Sequence, residues 1–230
     1  MAHARAPAPA RASRAPRRLD ERSLVRGVSV LSRVDAHLAR IHQELGPPPL
    51  WAREPGFPTL VWIILEQQVS LASARAAWSK LKASVRKVTP RSFLGLRDAE
   101  LKRIGFSRQK AAYCRGLAEA VLSRELRLDQ LDEMDDADAR AALVAIKGIG
   151  QWTADIYLME ALLRPDIWPV GDLALATSFK ECFDLAERPT PKELEEAAAP
   201  WRPWRAVAAR LLWQEYLARR NSFIGETPPA

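Results

Sequence analysis

Residues 143–159 read Leu143-Val-Ala-Ile-Lys-Gly-Ile-Gly-Gln-Trp-Thr-Ala-Asp-Ile-Tyr-Leu-Met159. Apolar residues flank Lys147-Gly148-Ile149-Gly150 on both sides, so the segment predicts two helices joined by a tight turn. Gly148 and Gly150 let the backbone turn sharply and come close to a partner. Ile146 and Ile149 pin the turn to the core. The second helix starts near Gln151 and Trp152. Its first N–H groups point out of the turn, where they suit a phosphate. Lys147 adds a positive charge beside them, and Thr153 joins the phosphate-binding set.

Outward from this hairpin the chain reads as helix after helix. Leu24, Val28, Leu31, Val34, Leu38, Ile41 and Leu45 form one apolar stripe, ended by Gly46-Pro47-Pro48-Pro49. Thr59 is read as the cap of a helix running through LVWIILEQQVSLASARAAWSKL, until Pro90 breaks the chain. Asp98, Ser107, Asp172 and Thr190 are further candidate caps, and Trp204 to Ala218 is the last helix. Residues 99–110 echo residues 142–153: a short helix, a glycine turn, a second helix. No alternating segment flanks an Asn-Gly or Asp-Gly turn. The expected class is all-α, with about ten helices.

Composition narrows the function. Two cysteines in 230 residues exclude a disulfide framework and a four-cysteine zinc or iron–sulfur site within the chain. The run Pro55 to Leu65 is too short to span a bilayer. No apolar leader core follows the start, so a reducing, intracellular setting is expected. Residues 1–18 hold five arginines among Ala and Pro, with no acid. An arm over residues 1–20 is expected to be disordered, because it lacks the apolar residues that would offset ordering. The other 30 basic residues then face 28 acids, so the body is nearly neutral. Its charge is segregated. Residues 75–110 hold 11 Lys/Arg and two acids, whereas residues 125–138 hold seven acids and one Arg. Separate basic and acidic faces suit a polyanion contacted from one side.

Ile146-Lys-Gly-Ile-Gly-Gln-Trp-Thr-Ala154 followed by Trp168-Pro-Val-Gly-Asp172 resembles the helix-hairpin-helix DNA glycosylase superfamily. Leu65-Glu-Gln-Gln-Val-Ser70 and Pro200-Trp-Arg-Pro-Trp-Arg-Ala-Val-Ala-Ala-Arg-Leu-Leu-Trp213 resemble its 3-methyladenine DNA glycosylase II branch. The resemblance covers residues 25–220. It implies two helical lobes, residues 21–59 plus 166–225 and residues 60–165, with the hairpin at 138–163, a cleft between the lobes and a tail at 226–230. It also implies a site. Asp172 would be the catalytic carboxylate, 20 residues after Trp152. Trp152 and Trp213 would be the base pocket and Gln68 the wedge that fills the duplex when a base leaves. The carbonyls of Val144, Ile146 and Ile149 would hold a monovalent cation, Na or K, as the sole candidate metal, with no cofactor required.

The implied activity is hydrolytic removal of alkylated purines from duplex DNA. An alkylated purine is cationic and leaves as a neutral base, so a carboxylate beside the sugar suffices. Bifunctional members carry a lysine where this chain has Trp152, so no lysine imine is expected. Ile156 stands where relatives often carry an aromatic. The alternatives are a non-catalytic hairpin DNA-binding module and a glycosylase for other damaged bases. A module that only grips DNA has no use for Asp172 and two pocket tryptophans. Double-stranded DNA with a damaged base is the expected partner. A monomer is expected, with no membrane, in the cytoplasm at the nucleoid or in a nucleus.

Overall fold

The computed structural model describes residues 17–220. Among these residues every regular element is a helix and no strand occurs. In chain order they are α1 (Glu21–Val34), α2 (Ala36–Leu45), α3 (Phe57–Glu66), α4 (Leu71–Ser84), α5 (Pro90–Leu94), α6 (Asp98–Ile104) and α7 (Arg108–Leu122). Then follow α8 (Asp136–Val144), α9 (Gln151–Glu160), α10 (Leu173–Cys182), α11 (Pro191–Ala197) and α12 (Arg205–Arg219).

Most starts follow from side-chain caps. Asp20, Asp35, Ser70, Thr89, Ser107, Asp135, Asp172 and Thr190 each accept a backbone N–H from the first turn they precede. Asp98 is the first residue of α6 rather than its cap.

Two expected helices are each split. The stripe from Leu24 to Leu45 is α1 and α2, because Asp35 takes an extended conformation and its carboxylate receives His37 N and Leu38 N. The segment from Leu60 to Leu81 is α3 and α4. Ser70 caps α4, and the turn at Gln67–Val69 places Gln68 at φ 54. Thr59 lies inside α3, where its hydroxyl donates to Glu54 O at 2.6 Å. The helix starts one turn earlier, at Gly56 with Pro58 in its first turn.

The helices pack in two groups. In one, α1, α2, α10 and α12 pack on one another. In the other, α3 is the centre. Residues 59–65 are all buried, and α4, α7 and α9 surround the helix. The expected lobe boundary at 59/60 falls inside α3. Its first turn therefore goes with the central group.

The expected arm also ends earlier than residue 20. Leu19 is buried and its N–H donates to Leu163 O at 2.7 Å, while the Arg17 guanidinium donates to Asp132 O. Residues 1–16, and the tail at 226–230 with residues 221–225, lie outside the described residues. No helix among those described is long and apolar enough to cross a membrane. Both cysteines are free and buried.

Candidate active site

The hairpin is α8, the turn Ala145–Gly150, and α9. Asp155 is wholly buried on α9 and accepts Arg140 Nε of α8 at 2.6 Å, which clamps the two helices together. Burial pushes the Asp155 carboxyl up against the pull of Arg140. Asp155 is thus a structural partner, as its position inside a helix suggests. Ile146 and Ile149 are buried and anchor the turn.

The two glycines differ. Gly148 sits at φ 96, and a Cβ there would collide with the Tyr113 ring. Gly150 has an ordinary φ of −83 and open space where a Cβ would be. The turn therefore requires Gly148, while Gly150 keeps the exposed surface low. No side chain caps α9, so its first N–H groups have no side-chain partner. Lys147 and Gln151 are exposed beside them. The Thr153 side chain is buried and its hydroxyl accepts Gln67 Nε2 at 2.9 Å, which leaves its backbone N–H in the uncapped first turn of α9.

Gln67 also donates to Gly148 O at 3.0 Å. It thereby ties the α3–α4 turn to the hairpin. Gln68, the expected wedge, is exposed at the tip of that turn in the left-handed region, which non-glycine residues seldom adopt. Val69 and Leu71 beside it are also exposed, at 45% and 52%. An open groove of about 680 Å³ runs between Gln68, Lys110, Tyr113, Lys147 and Gly150. Gly105 and Ser107, the glycine turn of the internal echo, lie in the same groove.

Asp172 stands where the two helix groups meet. As cap of α10 it accepts Leu175 N at 2.8 Å. Trp152 Nε1, from the first turn of α9, donates to Oδ2 at 2.8 Å. Trp213 Nε1, from α12, donates to Oδ1 at 3.3 Å. Two tryptophans far apart in sequence thus converge on one carboxylate. Both indoles are half-buried. Ile156, one turn beyond Trp152, is buried and brings no ring to the site.

Two features here lie outside the sequence expectations. Trp51 packs edge-on to Trp213, with ring centroids 6.2 Å apart at 67°. It lies in an aperiodic Pro-rich connection, whose only sequence signal was helix termination. Behind the carboxylate lies a buried charge layer. Arg53 pairs with both oxygens of Glu66 at 3.1 Å and with Glu160 at 2.6 Å. Burial pushes the Glu160 carboxyl up to about 7, with the Glu66 and Asp172 charges adding to it and Arg53 and Arg210 opposing. Burial lowers Arg210 to about 10 against the attraction of Glu160. No ionisable periodicity in the sequence marks these groups, because their partners come from separate elements.

An all-helical fold with a glycine hairpin beside a carboxylate held by indoles defines a class, and the comparisons agree. Over residues 61–203 the chain matches the HhH-GPD superfamily of base excision DNA repair proteins, and it belongs to that family. It is 32% identical over 171 residues to a DNA-3-methyladenine glycosylase of Bacillus subtilis, covering 69% of this chain and 56% of that protein. It is 28% identical over 191 residues to the alkylbase DNA glycosidase-like protein mag2 of Schizosaccharomyces pombe, covering 80% of this chain and 90% of that protein. It shares its fold with a 3-methyladenine DNA glycosylase of Schizosaccharomyces pombe in complex with abasic DNA. The TM-score is 0.78 at 24% identity, over 82% of this chain and 95% of that one.

Proposed function

We propose that the protein is a monofunctional DNA glycosylase of base excision repair that removes alkylated purines, of the 3-methyladenine and 7-methylguanine kind, from duplex DNA. The observation that carries this reading is the Asp172 carboxylate, fixed by Trp152, Trp213 and the α10 backbone beside an uncapped helix start. The uncapped amides of α9, with Lys147 and Gln151, take the backbone phosphates. Gln68 enters the duplex where the base leaves. The flipped base lies against the half-buried indoles, which favour electron-poor, cationic rings.

As the glycosidic bond breaks, positive charge develops on the sugar. Asp172 is preorganised by its three donors and stabilises that charge without rearranging. It also positions water at the anomeric carbon, and the base departs neutral. Trp152 stands where a bifunctional relative would carry a lysine, so the abasic strand stays intact.

We also propose that the carbonyls of Val144, Ile146 and Ile149 hold a monovalent cation. Val144 ends α8, where carbonyls lack helical partners and carry the negative end of the helix dipole. Ile146 O accepts only Ile149 N among backbone donors, at 3.0 Å, and keeps a free lone pair. Such an ion would supply positive charge toward a phosphate.

The test uses a duplex bearing one 7-methylguanine. Free base is expected in solution, with strand cleavage only after alkali. Asp172→Asn is expected to slow base release by about 10²-fold or more while duplex binding persists. Cleavage without alkali would overturn the monofunctional reading. An active Asp172→Asn chain would return Asp172 to a helix cap alone.

A further inference from the structure

We propose that Trp51 is a third aromatic wall of the base pocket and favours cationic over neutral bases. This rests on reading Asp172, Trp152 and Trp213 as the base-excision site. Of the eight tryptophans, Trp62, Trp168, Trp201 and Trp204 are each at most 4% exposed and belong to the core. Trp78 packs on Trp62 at 5.3 Å. Of the remaining three half-buried rings, Trp152 and Trp213 hydrogen-bond Asp172, and Trp51 packs edge-on against Trp213.

Trp51 is held there against its own preference. Its φ is 48, in the left-handed region that a bulky side chain avoids. Such a conformation persists only where the surroundings over-determine it. Here they do, on both sides. Leu50 O accepts Arg210 Nε at 3.0 Å. Arg53 N donates to Glu160 O at 2.8 Å, and the Arg53 guanidinium is locked between Glu66 and Glu160. The buried charge layer thus fixes the two ends of a strained segment that turns an indole toward Trp213.

The geometry also gives the selectivity. Two rings at 67° form a corner rather than a slot. A purine stacked on one ring turns its edge toward the other. A methylated, positively charged edge is attracted by an indole face, and neutral hypoxanthine gains nothing comparable. Ile156 brings no ring one turn beyond Trp152, and the ring that meets Trp213 at an angle is Trp51.

The test compares Trp51→Leu and Trp51→Phe, which differ little in bulk but greatly in ring character. Single-turnover release is measured from duplexes carrying one 7-methylguanine or one hypoxanthine. Trp51→Leu is expected to lose roughly five- to 150-fold on 7-methylguanine, the range for one lost stacking partner, and less on hypoxanthine. Trp51→Phe is expected to retain most of the rate. Equal losses in Leu and Phe, or equal losses on both bases, overturn the proposal. If the wild-type chain releases neither base, the glycosylase reading fails, and quenching of tryptophan emission by 7-methylguanosine decides the point about Trp51. Weaker quenching affinity in Trp51→Leu, by five-fold or more, supports the corner. Unchanged affinity overturns it.

Discussion

At Gly148 the backbone lies at φ 96 with the Tyr113 ring against it, while at Gly150 nothing lies within 4 Å of where a Cβ would be. The two positions therefore respond differently to one methyl group. Gly148→Ala is expected to destabilise the protein by about 1–3 kcal/mol, through a strained φ and the displaced ring. Gly150→Ala is expected to change stability by about 0.5 kcal/mol or less, yet to weaken duplex binding if the hairpin takes a phosphate as proposed, because the added methyl would stand in its way. Thermal melts and fluorescence anisotropy on the same two variants separate the effects. Both glycines were visible in the sequence, but their separate roles were not, since Gly-x-Gly spacing carries no dihedral angle. The side-chain contact of Thr153 is hidden for a related reason. Its place in the first turn of α9 fits a phosphate ligand, and only the position of Gln67 shows that its hydroxyl is engaged.

At the scale of elements, the hairpin is held by one buried pair. Arg140→Leu would leave the Asp155 carboxylate without its main partner in the core. A loss of about 3–5 kcal/mol is expected, read from urea unfolding, with the α8–α9 angle and DNA binding lost together. Helix starts were legible where a side chain caps them, as at Ser107, Asp172 and Thr190. Breaks inside a continuous apolar pattern were not. The stripe from Leu24 to Leu45 keeps its period across Asp35, because α1 and α2 both present apolar faces to α12. The split between α3 and α4 was hidden in the same way, although it creates the turn that carries Gln68. Asp172, Trp152 and Trp213 could be named from motifs. Trp51 could not, because it belongs to no periodic element and meets Trp213 only through the tertiary fold.

At the scale of the whole molecule, charge segregation carries the prediction. The basic segment 75–110 reaches the hairpin groove through Lys110, while no residue of the acidic stretch 125–138 lines that groove. DNA is therefore expected to approach from the groove side. Each neutralised phosphate adds about −0.9 to the slope of log K against log salt, so a slope steeper than about −3 is expected. Anisotropy titrations between 50 and 300 mM salt, roughly spanning the range where such slopes are measured, check it. A flat response would argue against a polyanion partner. The all-helical class was legible from composition and spacing. The meeting of the two groups at one carboxylate was not, since it depends on how α10 and α12 pack.

The carboxylate at Asp172 is symmetric, and its neighbours use that symmetry. One oxygen serves Trp152, and the other serves Trp213 and Leu175. An amide has only one accepting end. After Asp172→Asn, whichever way the group turns, its NH2 must confront an indole N–H that also donates. One tryptophan would then let go and swing. The isosteric variant would thus lose more than charge, because it would also loosen a wall of the cavity that receives the base. A flipped base trapped in that variant is expected to show one indole well ordered and the other in two orientations.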